Sequence, residues 1–516
     1  MKRITIKNAW QKSRKTLVAA ACAVISLMGQ TANAWDLWDQ FAAENIENGR
    51  VVDASDERRI TTSEGQSYAL FFALVANERP AFEKLLTWTE NNLAEGDLTK
   101  HLPAWLWGRQ RNWGVIDSNN ASDSDLWIAW CLLEADRLWK VPAYRAKALG
   151  MMELLLTQET RQVAGLGPVV LPGHAGFEEG KGENRVVKLN PSYAPIFLLR
   201  RLALEDARWE PIVDAALAML VRASPSGFAP EWARFSATGR LVKPEGEDYT
   251  EGSYNAIRTY LWAGMTSPAD TSRNVLIQRF APMVEATREW NLPPRRVNVV
   301  TGTVESVGPD YFGACLLPLL KSSRAEDIRT AAMIRTVLSA HPVEKNRYYG
   351  NVLTLFGLGF DAGAFSFDAK GRLITGPDWR EKKPTVAGML DGKSAGETPS
   401  SVVSVTTKAQ GKPESAFQNA EASNEKPAGK RKENPVEKPA EAQKDEQKES
   451  ANKALYDTKD SISVIPVKTE VPPDRAGLSV KEEAPLSSGT PLESVKTRAS
   501  EWGVATEPTA SSEGGK

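Results

Sequence analysis

The stretch SEGQSYALFFALVANERPAFEKLLTWTENNL, Ser63 to Leu93, decides how the chain reads. Its apolar residues recur at helical spacing on both sides of NERP, which predicts two helices joined there. Ser63 and Gln66 have the S-x-x-Q form of a capping box, so the first helix is expected to start at Glu64. The same periodicity returns in SDSDLWIAWCLLEADRLW, YRAKALGMMELLLTQET, SYAPIFLLRRLALE, EPIVDAALAMLVRAS, SYNAIRTYLWAGM and FGACLLPLLKSS. Strand-like alternation is scarce, and RQVAGLGPVVLPG is the best candidate for a short hairpin. Helices joined by loops carrying Gly, Pro, Asn and Asp predict an all-α globule. At about 29 residues per helix and loop, the folded part holds about twelve helices, enough for six hairpins closed into a double ring. Periodicity alone does not separate such a ring from an open helical solenoid.

The ends of the chain read differently. A basic leader, MKRITIKNAWQKSRK, precedes the apolar run TLVAAACAVISLMG and the small residues of TANA. This is the form of a secretory signal peptide, with cleavage expected between Ala34 and Trp35. The apolar run is too short for a comfortable membrane span. Export from a bacterial cell places the mature protein in the periplasm or beyond. Residues 380–516 are rich in Lys, Glu, Pro, Ala, Ser and Thr, and only Phe417, Tyr456 and Trp502 are aromatic between Glu381 and Lys516. Such a composition cannot bury enough apolar surface to offset its ordering entropy, so a disordered tail is expected, solvated or used for docking. Residues 35–379 remain as the folded domain.

Of 516 residues, 64 are basic and 65 acidic, for a net charge of -1. That balance supplies no basic surface for nucleic acid. The histidines His101, His174 and His341 are scattered, and no His/Cys cluster has zinc spacing. No metal and no cofactor is expected. Removal of the leader takes Cys22 and leaves Cys131 and Cys315, both in apolar contexts that read as buried free thiols.

Several polar and aromatic clusters could carry chemistry. Glu64 reads either as a first-turn acid complementing the helix dipole or as a general acid. The second role needs burial or a second carboxylate, because a helix N-terminus lowers the pKa. Asp117, Asp123 and Asp125 crowd into nine residues ahead of an apolar helix. One of them could cap that helix. Together they could bind Ca²⁺, but the EF-hand spacing is absent, and a sugar site suits them better. Sixteen tryptophans are present, and Trp offers a flat apolar face with one N–H donor. Trp105, Trp107, Trp113, Tyr193, Tyr348 and Tyr349 stand beside Pro, Gly or Asn, where aromatics are expected at loop mouths as stacking platforms.

The segments SEGQSYAL, LPAWLWG, DSNNASDSDLWIAWCLLEADRLW, NPSY, SYNAIRTYLWAGM and YYGNVLTLFGLGF, in that order, resemble glycoside hydrolase family 8. The likeness is strongest to the members encoded with bacterial cellulose synthases, and it covers about Trp35 to Trp379. The resemblance implies an (α/α)6 barrel and inverting hydrolysis of β-1,4-glucans. It implies Glu64 as general acid, Asp123 as a ligand of the distorted sugar, and Tyr193, Tyr254 and Arg258 as lining of that subsite. Ser124 and Cys131 depart slightly from the family pattern. Asn255 departs more seriously. The resemblance places an aspartate general base there, and an amide has no usable pKa near neutrality. Three outcomes stay open. A carboxylate of the loop KPEGEDYTEGSY is the first candidate to replace it: Glu245, Glu247, Asp248 or Glu251, the last sharing a face with Asn255 if the helix begins early. Asp123 is a second candidate. Otherwise the protein binds glucan with weak or no turnover. The expected function is a monomeric periplasmic endo-β-1,4-glucanase (cellulase) acting on the cellulose chain, working with the cellulose synthase and export complex. The alternatives are a non-catalytic glucan-binding component of that machinery, or a hydrolase of xylan or chitosan.

Overall fold

The stretch from Ser63 to Leu93 forms two helices, as its periodicity predicts, and they belong to two different rings. The computed structural model describes residues 34–376 and 379, apart from 322, 323, 341 and 342. The leader and the tail lie outside the described residues. Six helices form an inner ring: α2 (Ser63–Val75), α4 (Ser122–Trp139), α6 (Ile196–Ala203), α9 (Ala256–Met265), α12 (Asp310–Leu316) and α14 (Tyr348–Asp361). Outside them pack α1 (Ala34–Asn45), α3 (Arg79–Leu93), α5 (Pro142–Leu154), α7 (Glu210–Ala223), the pair α10 (Ser272–Arg279) and α11 (Ala281–Trp290), and α13 (Ala325–Ala340).

Sequence explains which helix takes which place. Every residue of α2, α9 and α12 is buried. A helix that is apolar or small all round can be solvated on no face. The outer α3 buries a single stripe, Phe82, Leu85, Leu86, Thr89 and Leu93, at the spacing of one helical face. The ring closes through aromatics. Phe356 of α14 stacks on Phe71 of α2 at 5.2 Å and meets Tyr68 edge-on at 5.1 Å. Trp262 of α9 lies 5.1 Å and Trp127 of α4 5.5 Å from the same ring. An open solenoid would not bring its first and last inner helices into contact. At Gly357 of α14 an added Cβ would lie 2.2 Å from the Ala314 carbonyl oxygen of α12, so glycine sets the spacing between those helices.

Fourteen α-helical segments occur among the described residues, where about twelve were expected. Two local causes account for the excess. One outer helix is split at Phe280, where Pro282 in the first turn of α11 has no N–H to continue the ladder. A one-turn helix, α8 (Glu247–Thr250), sits in the loop before α9.

Short strands decorate the ring more than alternation suggested. The expected hairpin forms, Thr160–Val163 pairing with Gly167–Val170. A three-stranded sheet of β1 (Thr61–Thr62), β2 (Ala104–Arg109) and β3 (Trp113–Asn120) was not expected. The cap of α2 also differs from expectation. Thr62, not Ser63, accepts the Gly65 N–H, and Ser63 is already helical. Gln66 turns away to accept the Val51 N–H and to donate to Gly49 and Thr89. Cys131 and Cys315 are buried free thiols. No helix among the described residues is long and apolar enough to cross a membrane.

Candidate active site

The N-termini of α2, α4 and α9 bring their first-turn polar residues together. The Ser63 hydroxyl donates to Ser124 Oγ at 2.9 Å, joining the mouths of α2 and α4. Ser124 in turn donates to Asp123 through its N–H at 2.7 Å and its hydroxyl at 3.2 Å. Glu64 and Asp123 are both buried. Arg258 of α9 is 1% exposed and reaches the two carboxylates. It forms an ion pair with Glu64 and stands 3.9 Å from Asp123. The same guanidinium donates to Ser192 Oγ at 3.1 Å and to Asn255 Oδ1 at 2.9 Å. The Tyr193 ring lies 5.8 Å from it. Burial pushes the Asp123 carboxyl up to about 7, against the opposing hydrogen bonds from Ser124.

Asn255 stands at the start of α9 with its side chain held at both ends. Its Nδ2 donates to Glu231 Oε2 at 2.7 Å while Oδ1 accepts from Arg258. Glu231 also accepts the backbone N–H groups of Ser253 at 2.6 Å, Asn255 at 2.9 Å and Ala256 at 3.2 Å. Burial raises the Glu231 carboxyl above the ordinary value, and those donors oppose the rise. Sequence reasoning missed Glu231. Its only trace is an acid wedged between Pro230 and Trp232, 24 residues upstream of the amide it holds.

The loop carboxylates are placed otherwise than expected. Because α9 begins at Ala256, Glu251 shares no helical face with Asn255. Glu251 lies instead on a short strand paired with Asn298, its carboxylate 3.4 Å from Arg296. Asp248 lies on α8. The three crowded aspartates also separate. Asp117 is on β3, accepting the Asn119 N–H, and none of the three caps α4, whose N-cap is Ala121. Asp125 faces away from Asp123 into a buried pair with Glu159, where Asn120 Nδ2 donates to both.

Burial pushes Glu159 up to about 8, the Asn120 amide and Arg161 opposing, and pushes Asp125 well above its ordinary value, the Glu159 charge adding to the rise. A carboxyl raised in this way keeps its proton in the folded state after the unfolded chain has released it. Its contribution to stability is complete below the ordinary carboxylate pKa and falls by about 1.4 kcal/mol per pH unit per proton up to the folded value. Glu159→Gln keeps the shape without the titration. Thermal melts between pH 5 and pH 8 are expected to fall more steeply for wild type than for the variant. Parallel curves would show that Glu159 is ionised in the folded protein at both ends.

The aromatic residues split into a platform and a floor. Trp105 and Trp107 share the half-exposed face of β2, away from buried Leu106, so they stand on a strand rather than on a loop. Leu106, next to Trp105, pairs with Thr62, the residue that caps the helix carrying Glu64. Trp107 stacks on Trp113 at 5.3 Å and meets Trp88 edge-on at 5.2 Å, with the Arg50 guanidinium 4.6 Å from its ring. Trp113 is 48% exposed, and the same guanidinium lies 4.9 Å from its ring. Tyr348 and Tyr349, expected as platforms, are buried in the first turn of α14. The Tyr349 hydroxyl donates to the Tyr254 carbonyl and so ties α14 to the residue preceding Asn255. Tyr254 packs edge-on against Phe312 at 5.4 Å. No group of three or more His, Cys, Asp or Glu among the described residues could hold a metal ion.

Residues 11–363 match the family model for Glycosyl hydrolases family 8. The chain belongs to that family. An endoglucanase of Salmonella typhi is 43% identical over 361 residues, covering 69% of this chain and 94% of that one. An endoglucanase of Escherichia coli (strain K12) is 41% identical over 357 residues, covering 68% and 94%. Among solved structures, the endo-1,4-D-glucanase from Vibrio fischeri ES114 superposes with a TM-score of 0.62 at 43% identity, covering 66% of this chain and 99% of that one. Endoglucanase Cel10, a family 8 glycosyl hydrolase from Klebsiella pneumoniae, superposes with a TM-score of 0.53 at 26% identity, covering 63% and 99%. The double ring of this family 8 hydrolase is therefore the (α/α)6 barrel that the resemblance implies. The carboxylates of Glu64 and Asp123, at the mouths of α2 and α4, meet at the Arg258 guanidinium.

Proposed function

We propose that the protein is an endo-β-1,4-glucanase that cuts cellulose with inversion. The observation that carries this reading is Arg258 bridging Glu64, Asp123 and Asn255 from a third helix. Glycoside hydrolysis needs one carboxyl to protonate the leaving oxygen and a second group to activate water on the opposite face of the sugar. Glu64 is assigned the first task, and its ion pair with Arg258 has to part before it carries the proton. Asp123, Tyr193, Tyr254 and Arg258 hold and distort the sugar, and Trp105 and Trp113 stack on the chain to either side. The endoglucanase names of the relatives support a β-glucan substrate. The leader supports export, and we place the mature protein in the periplasm, as a monomer working beside the cellulose synthase and export complex.

The test is release of reducing ends by the mature wild-type protein from carboxymethylcellulose, xylan and chitosan, with the anomer formed first read by NMR. Cleavage of the cellulose derivative to α-configured ends is expected. Preference for xylan or chitosan moves the substrate, and β-configured ends refute inversion. The second reading, a glucan-binding component of the export machinery, is favoured by one observation, the amide at position 255. It predicts binding of cello-oligosaccharides without turnover, and activity only in Asn255→Asp.

A further inference from the structure

The amide at 255 faces the site on one side and a carboxylate on the other. Asn255 Oδ1 points to Arg258, which also holds Glu64. Asn255 Nδ2 points to Glu231 Oε2 at 2.7 Å. The two backbone contacts of Asn255 and Ala256 and the short one of Ser253 fix that carboxylate against the start of α9. These donors hold the partly exposed carboxylate in place, and the Asn255 side chain stands between it and the Arg258 guanidinium.

We propose that Glu231 is the proton acceptor of the hydrolysis, reached through the side-chain amide of Asn255. The inference rests on the reading of the protein as an inverting β-glucanase. A water hydrogen-bonded to Asn255 Oδ1 attacks the anomeric carbon while its O–H bond breaks and the proton passes to Oδ1. The Nδ2–H bond breaks in the same event, and that proton moves to Glu231 Oε2. Asn255 becomes the imidic acid, Glu231 becomes neutral, and Glu64 gives its proton to the leaving oxygen and becomes charged. Glu231 then returns its proton to Nδ2 while the Oδ1 proton passes to a solvent water, restoring amide and carboxylate, and Glu64 takes one proton back from solvent. The partial burial that raises the affinity of Glu231 for a proton suits it to this role. The burial and placement of Glu231, rather than its position in the chain, identify it.

Glu231→Gln and Asn255→Ala are expected to lose turnover on carboxymethylcellulose by about 10²–10⁴-fold each, the usual size of general-base help. The double variant should lose no more than either alone, because both belong to one relay. Two restorations separate proton transfer from support of the fold. Azide, a nucleophile with no proton to lose, should restore cleavage in Glu231→Gln and give the α-configured glycosyl azide. Asn255→Asp in the Glu231→Gln background should restore hydrolysis, because it puts a carboxylate where the amide stood. Glu231→Gln with wild-type turnover overturns the proposal. So does a loss that neither azide nor Asn255→Asp restores, which assigns Glu231 to holding α9 alone. Wild-type protein that cleaves no glucan refutes the β-glucanase reading itself and the relay with it, whereas a cleaving wild type beside an equally active Glu231→Gln refutes only the relay.

Discussion

Glu64→Gln is expected to lower turnover of carboxymethylcellulose by about 10³-fold while leaving the binding of cello-oligosaccharides nearly unchanged. Gln keeps the length of the side chain and can still accept from Arg258, so the mouth of α2 should stay built. What disappears is the proton for the leaving oxygen. The loss should shrink on an aryl cello-oligosaccharide whose phenol is acidic enough to leave unprotonated. That difference between leaving groups marks a general acid, since a residue that only binds sugar would weaken both substrates alike. Comparable activity of variant and wild type on carboxymethylcellulose would remove Glu64 from the role.

Arg258→Met is expected to lose both stability and activity. The guanidinium is buried and is the cation that faces both Glu64 and Asp123. Its removal leaves both buried carboxylates without their cation, Asp123 keeping only its hydrogen bonds from Ser124, and deleting one partner of a buried pair costs about 3–5 kcal/mol. The deficit has a sign in pH. Without the cation both carboxyls hold their protons to higher pH, so the variant should lie closest to wild type in acid and fall behind as pH rises. Thermal melts at pH 5 and pH 7.5 read this directly, and a deficit equal at both values would show that the carboxylates do not depend on Arg258. Arg258→Lys should restore charge but little activity, because an ammonium cannot serve Glu64, Ser192 and Asn255 from one plane.

Much of this was legible in the chain. The all-round apolar character of SYALFFALV and the single stripe of AFEKLLTWTENNL separate an inner helix from an outer one. Glu64, Asp123, Tyr193 and Arg258, scattered over nearly 200 residues, do converge on one guanidinium. The aromatic residues were harder. PAWLWG beside proline and glycine reads as a loop, but its alternation of Trp with Leu and Gly is that of a strand whose one face is buried. Tyr348 and Tyr349 follow Asn and Arg, yet they are the buried first turn of a helix, because that turn lies against α12 and α1.

The sequence by itself determined most of the helices and the types of residue at each helix mouth, because these follow from local spacing and composition. It also showed that position 255 carries an amide. Only the tertiary structure decided that the ring closes, that Glu251 is occupied with Arg296, and that Glu231 grips the amide from a loop 24 residues upstream. Those outcomes depend on contacts between segments far apart in the chain, and periodicity carries no information about which distant carboxylate a side chain will meet.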